Sequence, residues 1–118
     1  MTTISLFQNT SEYEAFTAGH HIFDEGEAGE VMYVVVEGEV NIMVRGRVIE
    51  TVGPGEVLGE MVLVDASPRS ASAVAKTDCK LVLINERRFQ FLVQQTPYFA
   101  IQIMQIMANR LRRMNAQL

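Results

Sequence analysis

Two side chains of opposite charge stand close together in an otherwise small and apolar stretch of the sequence. Glu60 precedes the apolar run over residues 61–64, and Arg69 lies between Pro68 and a series of small residues. A carboxylate and a guanidinium in such surroundings are costly to desolvate unless something pairs with them. The residues therefore allow two arrangements: a buried salt bridge that closes the loop, or a site in which both charges face a third group.

The neighbouring residues favour a ligand site, because a direct salt bridge leaves them unexplained. Gly59 lets the backbone approach closely and begin a short helical turn, whose first amides suit an anion. Arg69 offers a rigid fork for phosphate oxygens, and Ser70 adds a hydroxyl donor beside it. Glu60 repels a phosphate but can accept a hydrogen bond from a sugar hydroxyl. A compact ligand with one phosphate and one ribose hydroxyl, such as a cyclic nucleotide, fits this set.

The segment GEMVLVDASPRSASA, residues 59–73, resembles the phosphate-binding cassette of cyclic nucleotide-binding domains. The resemblance extends upstream to GHHIFDEGEAGEVMYVVVEGEVNI, residues 19–42, and to VGPGEVLGE, residues 52–60. It implies a β-roll of the catabolite-activator or protein-kinase-regulatory-subunit type. The ligand implied is cAMP or cGMP, with no further cofactor and no metal.

By position, the resemblance assigns Glu60 to the ribose 2′-hydroxyl and Arg69 to the cyclic phosphate. Ser70 is expected to contact the phosphate or the base edge. The remaining residues of the expected ligand-binding set contribute backbone amides or small side chains: Gly59, Met61, Val62, Ala71 and Ser72. In this family the last helix commonly closes over the base, and Arg110 or Leu111 is expected to form that lid.

The elements that position these residues change character once along the chain, which we expect to form one domain over residues 1–118. Between about residues 19 and 84 there are short β-rich runs separated by turns, at 31–36, 40–44, 48–52, 73–75 and 80–84. Such runs predict a mainly β fold, an antiparallel barrel or jelly roll, with flanking helices. The resemblance to cyclic nucleotide-binding domains implies the jelly-roll-like β-roll, an antiparallel double-stranded β-helix. The segment around Ser11 to Phe16 is predicted to form one short helix.

Two C-terminal helices, the hinge and the lid of the family, are predicted over residues 86–95 and 97–116. Asn85 and Thr96 are suitable N-caps, and Pro97 suits a first helical position. The second helix carries a broad apolar stripe made of Phe99, Ile103, Ile106, Met107, Leu111 and Met114. A helix of about 20 residues is roughly 30 Å long, so part of this stripe lacks a partner in the body. We expect a second copy to cover it, giving a homodimer through the C-terminal helix.

Composition and charge argue against several other classes of function. Residues 1–85 carry 13 acidic and 5 basic side chains, a balance that does not suit nucleic-acid binding. The single cysteine, Cys79, fits a reducing cytoplasmic setting, and no apolar run predicts a membrane span. Adjacent His20 and His21 would point to opposite faces of a strand, so no metal site is predicted. No catalytic constellation is found, which predicts that the protein is not an enzyme.

These observations favour a cyclic nucleotide sensor whose ligand shifts the C-terminal helices, with an effector protein as a possible further partner. Two alternatives stay open at this level. One is a ligand-free interaction or dimerisation module with a degenerate cassette. The other is the sensor fragment of a catabolite-activator-type transcription regulator, since no helix-turn-helix follows the long helix in this sequence.

Overall fold

The computed structural model describes Phe7 and residues 12–116. The strands within these residues are β1 (Glu14–Phe16), β2 (His21–Phe23), β3 (Val31–Glu37), β4 (Val40–Val44), β5 (Arg47–Val52), β6 (Val57–Leu58), β7 (Ser72–Ala75) and β8 (Cys79–Asn85). The helices are α1 (Met61–Asp65), α2 (Glu86–Gln95) and α3 (Tyr98–Ala116). None of these helices is long and apolar enough to cross a membrane.

The strands form two four-stranded antiparallel sheets, in the orders β1-β8-β3-β6 and β2-β7-β4-β5. Side chains from both sheets meet in one apolar core, in which Val35 of the first sheet is buried with Val40 and Ala73 of the second. This is the predicted antiparallel β-roll, and the fold class read from the sequence is confirmed.

The first sheet is buried on both faces, and this explains why the sequence of β3 is a continuous apolar run. Met32 and Val34 pack against the helices, in the same core as Phe99 and Ile103 of α3. Tyr33 and Val35, the alternate residues of β3, are buried in the core that also contains residues of the second sheet. A strand enclosed on both sides has no solvent face that would favour polar residues at alternate positions.

The predicted N-terminal helix is wrong within the described residues. Ser11 lies outside the described residues, and Glu14–Phe16 is a strand that pairs with β8, with Ala15 opposite Lys80. A three-residue segment has little intrinsic preference, so its pairing with an available sheet edge decides its conformation.

The long helix α3 has two apolar faces rather than the single stripe read from the sequence. Phe99, Ile103 and Ile106 are buried against the first sheet. Four other apolar side chains are exposed along the helix: Ile101, Met104, Leu111 and Met114. The stripe therefore divides between the core and solvent, and Leu111 belongs to the outer face.

Candidate functional site

The turn between β6 and α1 brings the backbone at Gly59 against the side chain of Arg69. Gly59 has a φ of +73°, in the left-handed region that favours glycine. A methyl group at this position would lie 2.5 Å from Nη1 of Arg69 and 3.2 Å from the ring of Phe23. A side chain at Gly59 would therefore displace the arginine, which explains the small residue before Glu60.

Glu60 is buried, with 4% of its surface exposed, and is paired with a cation from the last helix. Its Oε1 accepts a hydrogen bond from Nη1 of Arg110 at 2.8 Å. Arg110 also donates to the carbonyl of Val57, and its Nε lies 3.4 Å from a carboxylate oxygen of Glu50. Only Oε1 of Glu60 is engaged within the described part of the chain, so Oε2 is available as an acceptor.

Arg69 is equally buried, at 5% exposed, but its partners are neutral. Nη1 donates to the carbonyl of Gly59 at 3.0 Å, and Nη2 donates to the carbonyl of Val31 at 2.8 Å. The guanidinium carbon lies 4.1 Å from the ring centroid of Phe23. Within residues 12–116 and Phe7, Arg69 makes no ion pair, and its buried Nε has no hydrogen-bond partner.

The charge of Arg69 is therefore held inside the protein without an ion pair among the residues described, and the carboxylates of Glu27 and Glu60 act on it only from beyond contact distance. Burial lowers the pKa of Arg69 from its ordinary value, although an arginine stays protonated at neutral pH. A desolvated cation with an unused N–H is a strong site for an anion, since charge-assisted hydrogen bonds are about twice as strong as neutral ones.

Glu60 and Arg69 are not bonded to each other, so the salt bridge that the sequence also allowed is not formed. Glu60 has its cation in Arg110, whereas Arg69 is attached by Nη1 to the carbonyl of Gly59, the residue next to Glu60. The carboxylate and the guanidinium thus meet the same backbone turn at Gly59 and Glu60, the second through its side chain only, and remain separate.

The other sequence-predicted residues are spread around this turn. Met61 is 39% exposed, whereas Val62 is buried beside a groove between α1 and α2. Ser70 lies in an exposed bend, and Ala71 is half-buried. Ser72 begins β7, and its Oγ accepts the amide N–H of Glu25 at 2.8 Å. Their contacts with a ligand remain predictions.

The two lid candidates are separated by the helix geometry. Arg110 points to the site and holds Glu60, whereas the adjacent Leu111 is 59% exposed. Leu111 therefore does not cover the site in this arrangement of α3, and Arg110 is the residue of the helix that reaches the cassette.

Sequence reasoning missed three side chains that shape the site. Glu50 of β5 holds Arg110 and also Arg113, at 2.6 Å from Nη2 of the latter. Phe23 and Tyr33 stack on each other with centroids 5.8 Å apart, beside the guanidinium of Arg69. An aromatic residue in an apolar strand carries no signal of such a role, and Glu50 lies far from its partners in the sequence.

Comparison with known proteins identifies the family that this fold and site define. The model of the family described as "Cyclic nucleotide-binding domain" matches residues 13–96. The chain belongs to this family, and the resemblance read from the cassette is confirmed at that level.

Among individual proteins, the chain is 33% identical over 120 residues to the cyclic AMP receptor protein of Thermus thermophilus, covering 98% of this chain and 54% of that protein. It is 32% identical over 108 residues to the CRP-like cAMP-activated global transcriptional regulator of Mycobacterium tuberculosis, covering 87% and 48%. The crystal structure of the Thermus thermophilus catabolite activator protein superposes with a TM-score of 0.79 at 32% identity, over 90% of this chain and 52% of that one. The chain spans about half the length of the curated relatives it matches.

Proposed function

We propose that this chain binds a cyclic nucleotide, cAMP or cGMP, and acts as a regulatory module. The observation that carries the proposal is the state of Arg69. Its cation is buried on an aromatic ring and two carbonyls, with an unused Nε and no carboxylate of the described residues in ion-pair contact. A phosphate would supply the missing negative charge, and this favours a ligand site over a degenerate cassette.

In this proposal Glu60 supplies the second point of recognition. Its Oε2 would accept the ribose 2′-hydroxyl, while Oε1 stays with Arg110. A buried acceptor discriminates strongly against a ligand that lacks the matching donor, because the acceptor is then left unsatisfied. The site would thus prefer a ribonucleotide to its 2′-deoxy analogue.

Arg110 supports a coupling between ligand and helix. It lies on α3 and joins Glu60 of the cassette to Glu50 of the second sheet, so the position of α3 depends on where Glu60 lies. A ligand that binds one position of Glu60 better than another would shift α3 by that difference in affinity. We propose this shift as the regulatory output, in keeping with relatives named as a transcriptional regulator and as a protein kinase regulatory subunit.

Isothermal titration of the purified chain with cAMP and with cGMP tests the proposal. We expect binding of at least one of them, and native mass spectrometry of the protein as purified should reveal any retained nucleotide. 5′-AMP, which has an open phosphate, serves as the control ligand. Absence of binding of both cyclic nucleotides at millimolar concentration contradicts the proposal.

We further propose that the chain forms a homodimer through the outer face of α3. Ile101, Met104, Ala108 and Leu111 follow the spacing of a two-stranded coiled coil, with intervals of three, four and three residues. Ile101, Met104 and Leu111 are 43%, 55% and 59% exposed, whereas Ile103 is buried within the chain. The seam between copies therefore differs from the Ile103 side of the helix.

Sedimentation of a double variant tests this interface. Met104→Asp with Leu111→Asp should convert a dimer to a monomer that keeps its cyclic nucleotide site. Arg113→Ala, on the same helix but at the heptad position opposite the seam, is the control and should leave the dimer intact. A dimer that survives the double substitution contradicts the assignment, and so does a monomeric parent.

A further inference from the structure

The guanidinium of Arg69 is enclosed by an aromatic ring and by two glycine positions. The ring of Phe23, at the end of β2, has its centroid 4.1 Å from Cζ. A methyl group on Gly29 would lie 2.5 Å from Cζ and 2.8 Å from Nη2, so the bare backbone there contacts the guanidinium. Gly59 makes a similar approach at Nη1. The group therefore has little room to leave this position.

Phe23 differs from a carboxylate, the usual partner of a buried arginine, because its ring carries no net charge. A carboxylate would hold the guanidinium but would also neutralise it and compete with an incoming anion. An aromatic face attracts a cation through its quadrupole and carries no net charge. The contact thus replaces part of the lost hydration of Arg69 while its positive charge stays available.

Tyr33 adds to this arrangement from behind. Its ring stacks on Phe23, and its centroid is 5.9 Å from the guanidinium carbon. Burial raises the pKa of Tyr33, the opposing influence of Arg69 being smaller, so the phenol stays protonated and uncharged at neutral pH. Neither aromatic residue provides a counter-ion for Arg69.

We infer that Phe23 is a positioning residue of the anion site, which holds the guanidinium of Arg69 by a cation–π contact without neutralising it. Gly29 also helps to position Arg69, because its lack of a side chain leaves space for the guanidinium. This inference rests on the proposed binding of a cyclic nucleotide, which it deepens by naming the residues that prepare the arginine.

The experiment replaces Phe23 and measures affinity for cAMP or cGMP, whichever the parent binds more tightly. Phe23→Leu should weaken binding about ten- to thirtyfold, the range expected when a desolvated cation–π contact is lost. Phe23→Tyr, which keeps an aromatic face, should bind within about threefold of the parent. Gly29→Ala should weaken binding by at least about tenfold, because the added methyl group displaces the guanidinium.

A fluorinated series separates the proposed contact from packing, and covers the case in which the leucine variant does not fold. Mono-, di- and trifluorophenylalanine at position 23 withdraw charge from the ring face in steps while changing its shape little. We expect the dissociation constant to rise at each step. The same series at Phe99 is the control and should leave affinity unchanged. Phe99 belongs to α3 and is fully buried in the core between that helix and the first sheet.

The outcomes separate this inference from the proposed function. A parent that binds neither cyclic nucleotide contradicts the proposed function and this inference with it. A parent that binds, together with equal affinities across the fluorinated series or an unaffected Phe23→Leu variant, contradicts only the role of Phe23. Weakening of binding by the control series at Phe99 would also overturn it, because general packing would then explain the effect.

Discussion

Glu60 and Arg69 are two buried charges at opposite ends of the segment that contains α1, and their environments are opposite. Glu60 has a guanidinium 2.8 Å away, supplied by α3 from 50 positions further along the sequence. Arg69 has two carbonyls, an aromatic ring and an unused Nε. The comparison shows that burial alone does not define an anion site. The carboxylate of Glu60 has its counter-ion within the fold and keeps only Oε2 for a neutral donor such as a hydroxyl, whereas the cation of Arg69 has no counter-ion in contact among the described residues and is available to an anionic ligand.

The strongest test of this contrast removes the unpaired charge. Arg69→Met keeps a side chain of similar length but should weaken cyclic nucleotide binding by at least about a hundredfold, because the phosphate loses its charged partner and the charge-assisted hydrogen bonding of that cation. The free energy of unfolding should not fall, because a desolvated charge without a counter-ion is itself costly. Titration calorimetry and urea unfolding measure the two effects. Arg112→Met, at an exposed position, is the control, and a marked loss of stability in Arg69→Met would contradict the contrast.

The reverse behaviour is expected when the paired charge loses its partner. Arg110→Ala leaves the carboxylate of Glu60 buried and uncompensated, which should lower the free energy of unfolding by about 3 kcal/mol. Affinity should also fall by about tenfold, since Glu60 is no longer held in place. Urea unfolding with and without cAMP measures both. An Arg110→Ala protein as stable as the parent would show that the pair contributes no net stability.

Replacing Glu60 by a neutral isostere tests whether this residue, besides pairing with Arg110, also recognises the ligand. Glu60→Gln keeps an acceptor for Arg110 but removes the negative charge, and affinity for the cyclic ribonucleotide should fall about tenfold. The parent should prefer cAMP to 2′-deoxy-cAMP, and the variant should lose most of that preference. Parallel titrations of the parent and the variant with cAMP and with 2′-deoxy-cAMP measure this preference. If the parent itself binds both equally, Glu60 does not recognise the 2′-hydroxyl.

The smallest effect on stability is expected for Arg113, at the exposed end of the ion network that Arg110 and Arg113 form with Glu50 and Glu60. Arg113 is half-exposed and pairs with Glu50 at 2.6 Å, so solvent screens the contact. Arg113→Ala should lower the free energy of unfolding by less than about 1 kcal/mol and leave affinity unchanged. Run beside Arg110→Ala, it separates the buried contact from its exposed neighbour. Equal losses of unfolding free energy in the two variants would mean that the contacts with Glu50, rather than the contact with Glu60, account for the stability that the network contributes.

Much of the fold could be predicted from the sequence because its signals are local. The apolar runs that became β3, β4 and β8 are long enough to show their strands, and Asn85 caps α2 by accepting the amide N–H of Arg88 at 2.8 Å. β1 and β6 were missed because three and two residues carry too little pattern. Their conformation is decided by the sheet edges they meet.

The candidate site was only partly predictable, for the same reason. The unusual surroundings of Glu60 and Arg69 are visible within twelve residues of sequence. The contacts that distinguish the two charges come from Phe23, Glu50 and Arg110, each more than eight positions away from both charges. On α3, the apolar residues occur on more than one side, and the pattern alone did not reveal that Ile103 faces the core while Met104 faces solvent.

The register of α3 places Arg110, which holds the cassette, directly beside Leu111 of the outer face. Consecutive residues of a helix are about 100° apart around its axis, so Arg110 faces the cassette while Leu111 faces the outside of the molecule. Any roll of the helix that loosens Arg110 must also swing Leu111 through the same angle. If α3 moves as one rigid helix, no other residues are needed to relay the signal. Ligand binding on the Arg110 side would then directly change the contacts that Leu111 makes on the outer face.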